Sequence, residues 1–586
     1  MGVTQDSAAD AARPDASDAS DPSSEDRLRL PAVQRRTVLT GTAVAGAAVL
    51  AADPFATDDA GAAAASPYFL HGVASGDPLP DRVVLWTRVT PQRDATPGSG
   101  RGGNVTVEWQ VSTDTRFKHI AARGTYRTGA AADHTVKIDA TGLKPGTSYV
   151  YRFLFYGFPS PVGRTRTAPA PTAAPARLRF GVVSCANLQA GYFHAYRHLA
   201  QRNDLDAIVH LGDYLYEYAP GEYGLGQDNV DVRRHVPARE MVTLADYRQR
   251  HAQYKQDPDL QWLHSKYPFI VTWDDHESTN DAWRDGAENH QSATEGDWAS
   301  RRARALRAYD EWMPVRMNST AALGDGTRLF RSLRFGRLAE LSMLDLRTYR
   351  DEQVTYPVVD ARVSDPNRTI TGRAQMDWLK AAVASTQVQW KLVGNPVMIA
   401  PVTFLQLPTA LLDPVNDVTH LLPRDGSPYN VDQWDGYTDD RRELFSHIRD
   451  RGIRDTVFVT GDIHSGWAAD LPYDVATYPL GRSAGVEFVA SSVTSNNLKD
   501  ILGAPPRTAS LAVETAIKVA NRHVRYLDFD SHGYSVLDVT SARVQMDWYV
   551  TGPREQRLAG STHAASFQTL AGTNTISRAA GPVGGN

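Results

Sequence analysis

The chain has 586 residues, 42% hydrophobic and 22% charged, a globular composition with material for more than one core at ~150 residues per domain. Its formal charge of −5 and pI near 6.4 exclude a global basic field, so no nucleic acid is expected as a stable partner. A single cysteine, Cys185, excludes an internal disulfide framework.

Residues 1–66 are not expected to join a fold. Met1 to Asp26 is rich in Ala, Asp and Ser and poor in large apolar side chains, which predicts disorder. Arg35 and Arg36 then precede a short, weakly apolar stretch of Ala, Val, Gly and Leu, the pattern of a twin-arginine export signal with cleavage near Ala62 to Ser66. No later stretch is long and apolar enough to span a bilayer, so the mature protein is expected to lie outside the cytoplasm, to have the export machinery as a transient partner, and to be a monomer.

Residues 67–170 read as a separate all-β unit. Short alternating runs such as VVLWTRV, NVTVEWQVS and SYVYRFLFYG are separated by Gly, Pro, Asp and Asn at sandwich intervals. GLKPGTSYVYRF is similar to the Leu-x-Pro-x-Thr-x-Tyr corner of fibronectin III-like domains. Ala168 to Ala176 is a Pro/Ala stretch expected to be an extended linker.

Residues 177–555 switch to alternating strands and helices, an α/β pattern, and 556–586 read as a tail. Strands are predicted at Leu178–Ser184, Ala207–Leu211, Phe269–Trp273, Leu338–Leu344, Trp390–Gly394 and Thr456–Thr460, and helices at Phe193–Gln201, Ala374–Ser385 and Asp439–Arg449. In open α/β sheets ligands bind beyond the carboxyl ends of the strands. Here those ends carry Cys185, then Asp213 and Tyr216 in HLGDYLYEY, Asp275 and His276 in TWDDHE, and Asp462 and His464 in TGDIHSGW.

Apolar runs that each stop at such side chains are hard to explain as packing. Free cysteines are usually small buried hydrophobes, but Cys185 ends a strand in an exported chain, which favours a metal-bound thiolate. A thiolate, a phenolate, an imidazole and a carboxylate from Cys185, Tyr216, His464 and Asp213 suit Fe(III). Asp213 again, with Asp275, Asn395 and Asp462, offers only oxygen, which suits Ca(II). Asn395 precedes a proline and could equally initiate a turn. His276 could protonate a leaving group, or be a buried structural histidine. Asn280 could orient a phosphoryl oxygen or bind calcium. Arg347 could grip phosphate, or pair with Asp345 or Asp351.

In order along the chain, HGVASGDPLPDRVVLWTRV, SCAN, HLGDYLYEY, TWDDHE, LDLRTYR, DQWDGY and TGDIHSGW resemble the PhoD family of secreted alkaline phosphatases, from about Phe69 to Val550. The resemblance implies a calcineurin-like metallophosphatase sandwich behind a small all-β fibronectin/Ig-like domain, acting on phosphomonoesters and phosphodiesters. It also implies iron(III) at Cys185, Asp213, Tyr216 and His464, with calcium among Asp213, Asp275 or Asn280, Asn395 and Asp462. The Gly-Asn-His-Glu and Gly-His-x-His motifs of purple acid phosphatases are missing.

Two alternatives stand beside this. A calcium-dependent phospholipase D-type enzyme on the same scaffold would need an apolar rim, for which Met398–Leu412 is the candidate lip. A non-catalytic surface-binding protein would have lost part of the Cys185, Asp213, Tyr216 and His464 set.

Overall fold

The computed structural model describes residues 66–584 except 227–229, 318–327, 356–359, 405, 407, 409 and 411–424. The leader with Arg35 and Arg36 lies outside the described residues. Two sheets dominate. The ten-stranded sheet runs, edge to edge, Ile576–Arg578, Ser561–Leu570, Arg543–Thr551, Gly533–Thr540, Arg177–Val183, Ala207–Leu211, Pro268–Thr272, Val73–Leu79, Arg82–Arg88 and Thr135–Thr141. The seven-stranded sheet runs Arg331–Phe335, Ala339–Met343, Trp390–Asn395, Thr456–Thr460, Ser483–Val489, Gly466–Pro472 and Val524–Asp528.

The layering follows from period-2 alternation in strands that are apolar on both faces. Phe180, Val182, Val209 and Leu211 face Leu341, Leu392, Val457 and Phe488 in a core between the sheets. Their neighbours Val183, Ile208 and Val271 turn to an outer core with Leu199, Leu263 and Tyr309 from the helices His194–Gln201, Pro258–Lys266 and Trp298–Trp312. On the other side Val393 and Phe458 meet Leu379 and Leu444 from the helices Arg373–Val383 and Thr438–Asp450. The result is a sandwich of two sheets between helical layers, the α/β fold class expected.

Strand pairing crosses the expected domain boundaries at both ends. Strands Val73–Leu79, Arg82–Arg88 and Thr135–Thr141 of the N-terminal region join the larger sheet. Val73–Leu79 pairs in parallel with Pro268–Thr272, so these strands extend the catalytic sheet while packing against a smaller five-stranded sheet. Gly76 makes that joint possible, because a Cβ there would stand 1.9 Å from Pro314 O and 2.7 Å from Phe269 O. The Pro/Ala stretch is docked rather than free: Ala168 donates to Leu79 O, and Ala173 O accepts from Arg337. The expected tail holds two strands, with Ile576 in the inter-sheet core and Phe567 against Trp548 at 6.2 Å between ring centroids.

Candidate metal centre

The site residues leave their strands in an uncommon backbone conformation. Cys185 has φ 59°, Asp213 53°, Asp462 65° and His464 52°, all left-handed and none of them glycine. Each such residue costs on the order of 1–3 kcal/mol and persists only where the surroundings hold it. The reason is directional, since the reversal at the strand end turns each side chain into one crevice. Gly212 lets the crevice close, at φ 105°, with space for a Cβ already taken 2.6 Å away by Asp274 Cβ.

The ligand atoms of Cys185, Asp213 and His464 lie within 4.8 Å of one another, and so do those of Asp213, Asp275 and His276. Asp213 is common to both sets. Tyr216 OH donates to Asp213 Oδ2 at 2.9 Å and stands 3.2 Å from His464 Nε2. His464 Nδ1 is 2.7 Å from Asn496 O, which requires the proton on Nδ1 and leaves Nε2 as a lone pair. Two acceptors therefore face each other at Tyr216 and His464.

The electrostatics repeat that demand. Burial pushes the Asp213 carboxyl up to about 8, with Asp275 and Asp274 adding to it. Burial and Asp432 push Asp281 up to about 8. Burial, relieved in part by Arg347, leaves Asp274 at about 6. Asp462 is raised by burial and by Asp274, and the Cys185 thiol by burial and Asp213. Burial lowers His464 to about 4, so its ring is neutral. Buried Asp213 Oδ1 has no hydrogen-bond partner. These carboxylates cannot all ionise without added positive charge, and the donors fit cations held between them.

His276 sits differently. Burial would lower it, but Glu217, Asp275 and Asp213 hold it well above its ordinary range. Its Nδ1 is 2.8 Å from Glu217 Oε2, and its ring lies 4.2 Å from that of Tyr216. The ring beside the second donor set is thus protonated, with an N–H on both nitrogens and no lone pair for a metal, so the donors there remain oxygen.

Three of the expected site residues already have protein partners. Asn395 is buried with both amide atoms engaged: Oδ1 accepts from Trp434 Nε1 at 3.2 Å, and Nδ2 donates to Val397 O at 2.5 Å and to Thr460 Oγ1 at 3.2 Å. The asparagine before the proline ties the strand end to its neighbours, as a turn residue does. Asn280 donates its backbone N–H to Glu217 and its side chain to Glu288 at 2.9 Å. Arg347 pairs with neither Asp345 nor Asp351 through its guanidinium. It is buried against Asp274, and 2.9 Å from Asp432. As for the candidate lip, Met398, Ile399, Ala400 and Val402 are core residues, while 405, 407, 409, 411 and 412 lie outside the described residues.

Glu217, Asp274, Asp432 and Asn496 were missed. Glu217 and Asp274 carried a signal, as acids within GDYLYEY and TWDDHE, but sequence alone does not say which of two adjacent acids turns inward.

Residues 180–548 match the model of the PhoD-like phosphatase family, and 55–169 match its N-terminal domain. The chain belongs to the PhoD-like phosphatase family. It is 37% identical over 489 residues to alkaline phosphatase D of Bacillus subtilis (strain 168), covering 82% of this chain and 77% of that one. It is also similar to a solved structure titled "Structure of PhoD", with TM-score 0.77, 35% identity and coverage of 88% of this chain and 93% of the other.

Proposed function

We propose that this PhoD-like phosphatase hydrolyses phosphate monoesters and diesters at a mixed iron–calcium centre. The observation that carries the reading is that Asp213 is shared by a set with Cys185 and His464 and a set with Asp275 and His276, while Asp275 and Asp462 flank the same Arg347 nitrogen. Cys185, Tyr216 and His464 would hold Fe(III) with it, a soft and strongly donating set. Asp275 and Asp462 would hold Ca(II) with it, through carboxylate oxygen. When bound, the two ions supply Lewis acidity and positive charge against the phosphoryl oxygens.

The remaining chemistry falls to the protein. Glu217 fixes His276 through Nδ1, which leaves Nε2 to deliver a proton to the leaving oxygen. Tyr216, Tyr218 and Tyr223 surround that imidazole, with ring centroids at 4.2, 5.5 and 6.0 Å, and limit its rotation. Asn496 holds the His464 tautomer from outside the site.

Elemental analysis of the purified protein, with turnover of a monoester and a diester, tests the reading. Iron and calcium are expected, with a charge-transfer colour that Cys185→Ser shifts or removes together with most activity. A colourless, fully active protein holding only zinc overturns the assignment.

The export signal is part of the same proposal. Among the described residues no helix is long and apolar enough to cross a membrane. Replacing Arg35 and Arg36 by Lys is expected to leave folded precursor in the cytoplasm, read by fractionation.

A further inference from the structure

Arg347 stands at the meeting point of four carboxylates that come from three parts of the chain. Its Nε donates to Asp274 Oδ1, and its Nη1 lies 2.9 Å from Asp432 Oδ2. Its Nη2 makes no hydrogen bond, yet stands 3.7 Å from Asp275 Oδ1 and 3.6 Å from Asp462 Oδ1. The side chain is 2% exposed, so the guanidinium is enclosed behind these acids. Asp432 is braced a second time by Arg350, at 2.7 Å.

We propose that Arg347 is a positioning residue for the calcium half-site and not a phosphate contact. This rests on the reading that Asp275 and Asp462 take calcium. Only a planar fork can serve these acids at once, two by close contact and two from just beyond hydrogen-bond range. Asp274 and Asp432 absorb the positive charge through the close contacts. What reaches Asp275 and Asp462, at 3.7 and 3.6 Å from Nη2, is placement. Without the fork the four carboxylates lose their common brace, and the half-site would open.

Calcium affinity, measured by calorimetry on the iron-loaded full chain, reads the role directly. Arg347→Met is expected to weaken calcium binding by about 10- to 100-fold, the usual loss when an outer partner of a metal ligand is removed. Arg347→Lys keeps the charge without the fork and should fall between wild type and Arg347→Met. At saturating calcium, the inhibition constant of inorganic phosphate should stay within about threefold of wild type, since a lost direct hydrogen bond to a charged group would move it by about tenfold or more. If Arg347→Met does not fold, Asp432→Asn, at the outer side of the cluster, should weaken calcium in the same direction by less. Unchanged or tighter calcium binding in the variants, or phosphate inhibition lost at saturating calcium, overturns the proposal. A wild-type chain that binds no calcium defeats the metal assignment and this proposal with it. Normal wild-type binding with unchanged variants defeats this proposal alone.

Discussion

At the scale of single residues, the site is a set of strand-end side chains whose charges do not balance among themselves. Glu217 and His276 offer the clearest test of how they act together. Their hydrogen bond is buried at 2.8 Å, so Glu217→Gln should lower kcat by about 10- to 100-fold with little change in KM, against about 10²- to 10⁴-fold for His276→Asn. The double variant should be no worse than His276→Asn alone, because Glu217 works through the imidazole. Additive losses would show that Glu217 has a separate task. Cys185, Asp213, Tyr216, Asp275 and His464 were legible in the sequence because each closes an apolar run with a side chain that packing does not need. The acids around Arg347 come from TWDDHE, DQWDGY and TGDIHSGW, and no spacing in sequence reports that meeting. Asn395 was ambiguous in sequence, because a strand-end amide is as useful for tying a turn as for binding an ion.

At the scale of elements, the main strands are where alternation put them; Ala207–Leu211 and Thr456–Thr460 match their predicted bounds. Local pattern does not say which strands share a sheet, so the joint between Val73–Leu79 and Pro268–Thr272 was invisible. Gly76→Ala should therefore act on both parts of the molecule. Its Cβ would collide with two backbone carbonyls, and a loss of about 3 kcal/mol or more is expected in urea denaturation. The C-terminal strands fell in the expected tail because STHAASFQTL is only weakly apolar. Ser561–Leu570 nonetheless pairs along Arg543–Thr551 and carries Phe567 onto Trp548 and Tyr526. Truncation after Gly560 should bare that edge and leave the protein largely insoluble when expressed; a soluble truncated chain with the wild-type melting temperature would contradict this packing.

At the scale of the whole molecule, the chain buries an unusual share of its histidines away from the site. Burial lowers His210 to about 3 and His523 to about 4, and it takes His71, His235, His251 and His264 well below the ordinary value. Each is neutral when folded and protonated below ~6.5 when unfolded. Their contribution is full above that pH and falls as the pH drops toward the folded values, by about 1.4 kcal/mol per unit for each group. Acid unfolding is thus expected within about two units below pH 6.5, since domain stabilities are about 5–15 kcal/mol. A flat denaturation midpoint between pH 6.5 and 4.5 would refute it. Lys255 shares this interior, 3.0 Å from His264 Nε2 and over the rings of Trp86 and Tyr214 at 4.8 and 5.1 Å. Burial drives its ammonium well below the usual lysine range. Lys255→Met should leave stability unchanged or raise it by about 1–3 kcal/mol, since it removes a buried polar group whose charged form burial disfavours.

The order of strands in the larger sheet has a consequence for how the chain comes into being. Arg177–Val183 is flanked on one side by Ala207–Leu211 and on the other by Gly533–Thr540, where Arg179 reaches Asp538 across 359 positions of sequence. A nascent chain emerging from the ribosome can finish neither the sheet nor the crevice until its last strands have been synthesised. Strands made early must wait for late neighbours with their edges open. The interval between the start and the end of translation is therefore when this protein is most exposed to aggregation, and the metal centre is among the last features to form.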